Sequence, residues 1–245
     1  MALHMASSGL ASHRITQSDA FNTPESHLQH VFSLLNINCV VDVGAHQGQY
    51  GVELRNHGYS GRIVSFEPVA ANYEKLRALG ESDADWRTYQ FALAEENSSC
   101  DIHLFAGSTW ASFLRTSEFG RRRFLQGLEL AGTERVEVRR LDAVFREAVN
   151  GLVAPRVFLR VDTQGYDLAV LRGAGGCLRD VIGLQIALTT EPIYSGATNV
   201  LDEAVPFVRS RGFSPTAFFP VTRDSDGLAV IEYDAVFCRP TFRRW

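Results

Sequence analysis

Lysine is almost missing: Lys75 is the only one, and arginine carries the rest of the positive charge, a compositional bias expected of a GC-rich genome. Net charge is −4, so there is no general attraction to nucleic acid or to an anionic membrane surface. Apolar runs stop well short of the roughly 18 residues of a membrane span. The N-terminus also lacks a basic-then-apolar signal pattern, and cytoplasmic residence is the resulting expectation. The four cysteines, Cys39, Cys100, Cys177 and Cys238, are scattered without C-x-x-C or zinc-finger spacing, which argues against a metal cluster or a redox motif. Internal repeats and low-complexity tracts are absent too. With 245 residues and 45% apolar composition, the chain is expected to fold as one α/β domain over residues 23–245. Residues 1–22 are polar and aperiodic, and Leu3-His4-Met5 looks like a cloning junction before a native start at Met5.

Another absence shapes the functional reading. The stretch Cys39-Val40-Val41-Asp42-Val43-Gly44-Ala45-His46-Gln47-Gly48 runs from an apolar strand through an acid into a glycine loop and a helix. The dinucleotide fingerprint G-x-G-x-x-G needs a second glycine where His46 stands. What remains is D-x-G-x-x-x-G. It sits at strand one of a doubly wound α/β pattern, where ligands bind beyond the carboxyl ends of the strands.

Further along, the chain alternates in period. Thr23-Pro24 opens a helix with Leu28, Val31, Phe32 and Leu35 on one face. Strands are expected at Arg62–Pro68, Trp86–Leu93, Cys100–Phe105, Glu134–Val138, Arg156–Asp162 and Val181–Leu188. Helices are expected at Gln49–His57, Ala71–Leu79, Leu141–Val149, Tyr166–Arg172 and Asn199–Arg211. Pro215–Val221 and Leu228–Cys238 flank a turn-rich segment and read as a terminal antiparallel hairpin. Residues 106–133 are longer than a plain connection needs, so a lid or substrate-facing insertion is expected there.

Three strand-end carboxylates, Asp42, Glu67 and Asp162, should converge on the ligand crevice. Gly44 allows close backbone approach, and Gly48 allows tight helix packing. Glu67 lies about twenty residues past the loop, where an acid accepts hydrogen bonds from both hydroxyls of a ribose. Any one of these acids alone reads equally as a helix cap; the three in this order favour an adenosine-type ligand.

The sequence resembles the FkbM-type methyltransferases. The matching residues are Val41–Tyr50, Phe66-Glu67-Pro68 with Asn72, Leu141-Asp142, and above all Leu159-Arg160-Val161-Asp162-Thr163-Gln164-Gly165-Tyr166-Asp167 with its continuation to Ala174. Gln185, Pro192-Ile193-Tyr194 and Tyr233–Phe237 fit as well. The resemblance spans about Leu35 to Cys238. It implies a class I, Rossmann-like methyltransferase fold with a seven-stranded, mostly parallel sheet ending in the antiparallel hairpin. It implies S-adenosylmethionine as methyl donor, S-adenosylhomocysteine as product, and a hydroxyl on a sugar, glycolipid or polyketide-type natural product as acceptor. Cofactor contacts are then expected from Asp42, Gly44, Ala45, His46, Gly48 and Tyr50. Others are expected from Glu67, Pro68, Asn72, Ala92 and Asp162. One position departs from the family: a glutamate is common two residues after the glutamine of Gln185, and this chain has Ala187.

An acceptor alcohol must lose its proton as it attacks, so a base is required. Asp162 is the first candidate, its competing role being a cap for the helix near Gly165. His46 is the second, against a simple stacking or solvent-facing role. Trp110, Gln164, Glu191 and Tyr194 are the expected substrate contacts, core packing being the alternative for the aromatics. Asp162 with Glu191 offers too few oxygens to assign a divalent metal, although the sequence does not exclude one. Arg121-Arg122-Arg123 reads as a solvated helix face, with an anionic acceptor as the alternative. Two other readings are a nicotinamide-dependent oxidoreductase, opposed by His46, and a non-catalytic protein on the same scaffold.

Overall fold

The computed structural model describes residues 22–107 and 110–240. The first helix, α1 (Pro24–Leu35), starts at a capping box in which the Thr23 side chain accepts from the Ser26 amide and Ser26 answers the Thr23 amide. Its buried stripe is the expected Leu28, Val31, Phe32 and Leu35. The chain then enters β1 (Cys39–Val43), buried along its whole length as a strand covered on both faces must be. Next come α2 (Gln49–Asn56), β2 (Arg62–Phe66), α3 (Ala70–Ser82) and β3 (Trp86–Tyr89).

After β3 the path leaves the first sheet. The run Trp86–Leu93, expected as one strand, breaks at Gln90-Phe91, and β4 (Ala92–Leu93) belongs to a second sheet. There it joins β5 (Ser98–Phe105), β6 (Ala111–Ser112) and β7 (Leu130–Arg139), in the order β4-β7-β5-β6. Residues 106–133 are thus partly ordered into this sheet, with α4 (Glu118–Phe124) and a 3₁₀ turn at Leu125–Leu128 between β6 and β7. Strand β7 begins at Leu130, four residues before the expected start. The excursion enters and leaves at one place, because β4 pairs in parallel with the end of β7, Ala92 opposite Val138 and Leu93 opposite Arg139.

The chain returns through α5 (Leu141–Ala148), β8 (Val157–Val161), α6 (Asp167–Gly173), β9 (Val181–Thr189), α7 (Leu201–Ser210), β10 (Ser214–Arg223) and β11 (Val230–Cys238). The main sheet has the order β10-β11-β9-β8-β1-β2-β3. Pairs among β9, β8, β1, β2 and β3 are parallel, while β11 runs antiparallel to both β9 and β10. This is the seven-stranded, mostly parallel sheet with its terminal antiparallel hairpin that the sequence led one to expect, to which the four-stranded sheet is an addition. Leu141, Phe145, Leu168, Leu171 and Val208 fill one face, and Leu28, Phe32, Leu54, Leu76 and Trp86 the other. Phe105, Leu128, Ile193, Tyr194 and Ile231 pack a smaller core involving the added sheet. No described helix is long and apolar enough to cross a membrane.

Candidate active site

The site is built on a polar row that crosses an otherwise apolar sheet. Ser65, Asp42, Arg160 and Gln185 are register partners on β2, β1, β8 and β9 and share one face. Asp42 is fully buried, and the Arg160 guanidinium reaches it with Nη1 donating to Oδ1 at 2.8 Å. Nη2 of the same group donates to Asp162 Oδ2 at 2.7 Å, and the guanidinium stacks 4.6 Å from the centre of the Tyr50 ring. Tyr50 in turn donates to Gln185 Oε1 at 3.3 Å. Burial pushes the Asp42 pKa up, and Arg160 opposes that shift. Burial also works against the Arg160 charge, yet Asp42 and Asp162 together hold its pKa above the ordinary guanidinium value.

Beyond this row, at the carboxyl ends of the strands, lies a cleft of about 460 Å³. Gly44 makes the approach of β1 to β8 possible: at φ +82° a Cβ there would sit 2.1 Å from the Asp162 carbonyl oxygen. Gly48, at φ +90°, starts α2 where a Cβ would meet Leu79 at 2.6 Å. One end of the cleft is formed by Gly44, Ala45, His46, Glu67, Pro68, Asn72 and Ala92. Glu67 Oε2 accepts the His46 amide at 2.9 Å, and Oε1 accepts the Val69 amide at 3.0 Å and Asn72 Nδ2 at 3.5 Å. Burial drives the Glu67 pKa up to about 7 in spite of these bonds. The His46 backbone is left-handed at φ +50°, and Gln49 Nε2 donates to its Nδ1 at 2.9 Å.

The other end is walled by Trp110 and Phe113 from the added sheet, by Asp162 and Gln164, and by Ala187, Glu232 and Asp234. The loop after β8 is held from below by Asp167, which is fully buried and accepts the Thr163 amide at 3.3 Å and the Gly165 amide at 3.2 Å. Burial, reinforced by the Asp162 charge, lifts the Asp167 pKa to about 7. Gln164, at φ +53°, is the knot of this region. Its Nε2 donates to Asp162 Oδ1 at 3.0 Å, its Oε1 accepts from the Tyr194 hydroxyl at 2.9 Å, and its carbonyl accepts from Ser112 Oγ at 2.7 Å.

A family model described as Methyltransferase FkbM domain matches residues 42–215, most of the chain and both glycine loops of this cleft. The chain belongs to the FkbM methyltransferase family. Among solved structures, M. capricolum TrmK in complex with S-adenosyl-homocysteine aligns with TM-score 0.47 and 6% identity, over 86% of this chain and 67% of that one. An rRNA methylase from Streptococcus thermophilus aligns with TM-score 0.46 and 11% identity, over 89% and 98%. No curated protein matches the chain.

Within this family member, most of the residues expected at the cofactor line the cleft together: Gly44, Ala45, His46, Tyr50, Glu67, Pro68, Asn72, Ala92 and Asp162. Asp42 stands one step deeper, paired with Arg160, and Gly48 packs beneath the loop. Trp110 and Gln164 line the other end of the cleft. Tyr194 does not line it; it is buried below Gln164. Glu191 is exposed on the loop after β9 and is not among the residues lining the cleft. Among the described residues no group of three His, Cys, Asp or Glu could hold a metal ion. The arginine run also lies outside the cleft lining: Arg122 pairs with Glu118, Arg121 donates to the Thr116 carbonyl, and Arg123 donates to the Arg223 carbonyl. Sequence reasoning missed Arg160, Glu232 and Asp234. Their signal was legible as charge in strands that are otherwise apolar: one arginine in Val-Phe-Leu-Arg-Val, and two acids at alternate positions of Glu-Tyr-Asp.

Proposed function

We propose that this family member is a cytoplasmic S-adenosylmethionine-dependent O-methyltransferase, acting on a hydroxyl of a sugar, glycolipid or polyketide-type natural product. The observation that carries the proposal is the placement of Glu67. Its carboxylate ends β2 at the cleft wall, beside a left-handed glycine loop in which a Gly44 Cβ would strike the neighbouring strand end. These residues fit the donor. Glu67 would accept from the ribose hydroxyls, and the Gly44–His46 backbone would pass under the methionine portion. When bound, S-adenosylmethionine supplies a methyl group on a sulfonium, which needs only a well-placed nucleophile. The chain's task is then to orient and desolvate the acceptor oxygen, with Trp110 and Phe113 closing the cleft on that side. Asp162, held by Arg160 and Gln164, orders the strand end between the two ligands. A nicotinamide dinucleotide is disfavoured by His46, which lines the cleft where the fingerprint has a glycine.

Calorimetry with S-adenosylmethionine, S-adenosylhomocysteine and NAD tests the cofactor, with binding expected for the first two only. Methyl-labelled donor incubated with a panel of glycosides, glycolipids and hydroxylated polyketides, followed by mass spectrometry, tests the acceptor. No heat with either sulfur ligand at adequate protein concentration refutes the proposal, as does a labelled product whose methyl group sits on nitrogen or carbon.

A further inference from the structure

On the methyl-transfer reading above, we propose that Asp234, on the last strand, is the residue that takes the proton from the acceptor hydroxyl. Register places it. Asp234 is the cross-strand partner of Ala187, and Arg160 and Val161 on β8 pair with Gln185 and Ile186 on β9. Asp162 therefore follows at the step beside Ala187, and the alternation of strands puts Asp162, Ala187 and Asp234 on one face. All three line the cleft. Two strand spacings separate the carboxylates at about 10 Å, and the residue between them carries only a methyl group. That notch can admit a hydroxylated carbon between the two walls.

The two acids differ in what holds them. Both oxygens of Asp162 are engaged, one by the Arg160 guanidinium and one by Gln164, and protonation would cost a charge-assisted bond. Among the described residues Asp234 forms no ion pair, and Arg160 and Gln185 favour its charged form. The charged and titratable groups facing it are Arg160 on β8 and Asp162 just after it, Glu53 and Tyr50 on α2, and Glu232 on its own strand. Burial first, and Asp162 next, push its pKa upward, as suits a group that must accept a proton near neutral pH. Glu232 sits two pairs farther along, opposite Thr189 on one side and Thr222 on the other, near Arg123.

The step balances without a further reactant. The acceptor proton passes to an Asp234 carboxylate oxygen while the hydroxyl oxygen's lone pair forms the new O–C bond. The methyl–sulfur bond breaks with its electron pair left on sulfur, and Asp234 later releases the proton to water.

Two measurements test this. In protein labelled with ¹³C at aspartate carboxyls and loaded with S-adenosylhomocysteine, Asp234, identified by loss of its signal in Asp234→Asn, should titrate above the ordinary aspartate value. With the acceptor found by the panel, Asp234→Asn should lower kcat about a hundredfold or more and change KM by less than about threefold. Its affinity for S-adenosylhomocysteine should stay within about twofold of wild type. Ala187→Asp added to Asp234→Ala should restore kcat at least about tenfold, because cross-strand partners have Cβ atoms about 5 Å apart. Titration of Asp234 at or below the ordinary aspartate value overturns the proposal, as does a kcat in Asp234→Asn within about threefold of wild type. Wild-type protein that fails to bind S-adenosylhomocysteine refutes the methyl-transfer reading instead.

Discussion

Replacing Arg160 with methionine removes the one cation from the polar row, and the structure sets the size of the effect. The pair with Asp42 is 2.8 Å long, with the Asp42 side chain fully buried and that of Arg160 16% exposed. At an effective dielectric of about 20, attraction at that distance is about 6 kcal/mol before desolvation is counted. Breaking a buried pair by removing one partner costs about 3–5 kcal/mol, because the remaining charge has no compensation. Asp42 has no second source of it, since its Oδ2 has no hydrogen-bond partner even in the intact protein. Asp162, 29% exposed, reaches water and adds little to the loss. The expected outcome in urea unfolding at pH 7 is a loss of about 3–5 kcal/mol for Arg160→Met. Most of it should return when Asp42→Leu is added, because apolar replacement of a buried pair is often neutral. The sign with pH follows from the raised pKa of Asp42, which loses the lowering influence of Arg160 in the variant. A carboxyl whose folded pKa lies above its unfolded value contributes fully below the unfolded value and loses stability as pH rises. The deficit of Arg160→Met relative to the double variant should therefore shrink on acidification. A deficit below about 1 kcal/mol that is flat with pH would show that the row is solvated and the pairing energetically idle.

Gly44→Ala should cost about 3 kcal/mol or more in the same assay, since a Cβ 2.1 Å from the Asp162 carbonyl adds a backbone clash to the strain of φ +82°. A loss under about 1 kcal/mol would mean that the two loops slide apart freely. Glu67, with a folded pKa of about 7 against an ordinary 4.5, should make unfolding stability fall by up to about 3 kcal/mol as pH rises from 4.5 to 7. Affinity for S-adenosylhomocysteine should rise over that interval as Glu67 ionises to accept the ribose hydroxyls, and Glu67→Gln should flatten both trends.

The buried parallel strands were readable because covering a sheet on both faces demands nearly continuous apolar runs, and β1, β2, β8 and β9 are such runs apart from their ends and the one polar row. Their ends were readable because acids and glycines mark where each strand must stop and turn. What failed was whatever depended on a distant partner. Trp86–Leu93 looks continuous along the chain, yet Ala92 and Leu93 are claimed by β7, more than forty residues away. Tyr194 resembles a pocket aromatic in sequence, but its hydroxyl is committed to Gln164 beneath the cleft. Ala187 looked like a lost acid on β9, and only the pairing of β9 with β11 shows Asp234 directly opposite it. Register is a long-range property, and no local pattern encodes it.

The parallel pairing of Ala92-Leu93 with Val138-Arg139 means that about forty-four residues of roof leave and rejoin the main path at one place, tied besides to the loop after β9 through Ser117 with Ile193 and Arg115 with Ser195. Such a segment can lengthen, shorten or be exchanged for another without disturbing the order of the seven strands beneath it. On the proposed function, donor recognition and acceptor choice would thereby fall on parts of the chain that can diverge at different rates, and acceptor range would drift through the roof while the cofactor floor stays fixed. The limit on that drift is Ser112, whose hydrogen bond to the Gln164 carbonyl any replacement roof must supply anew.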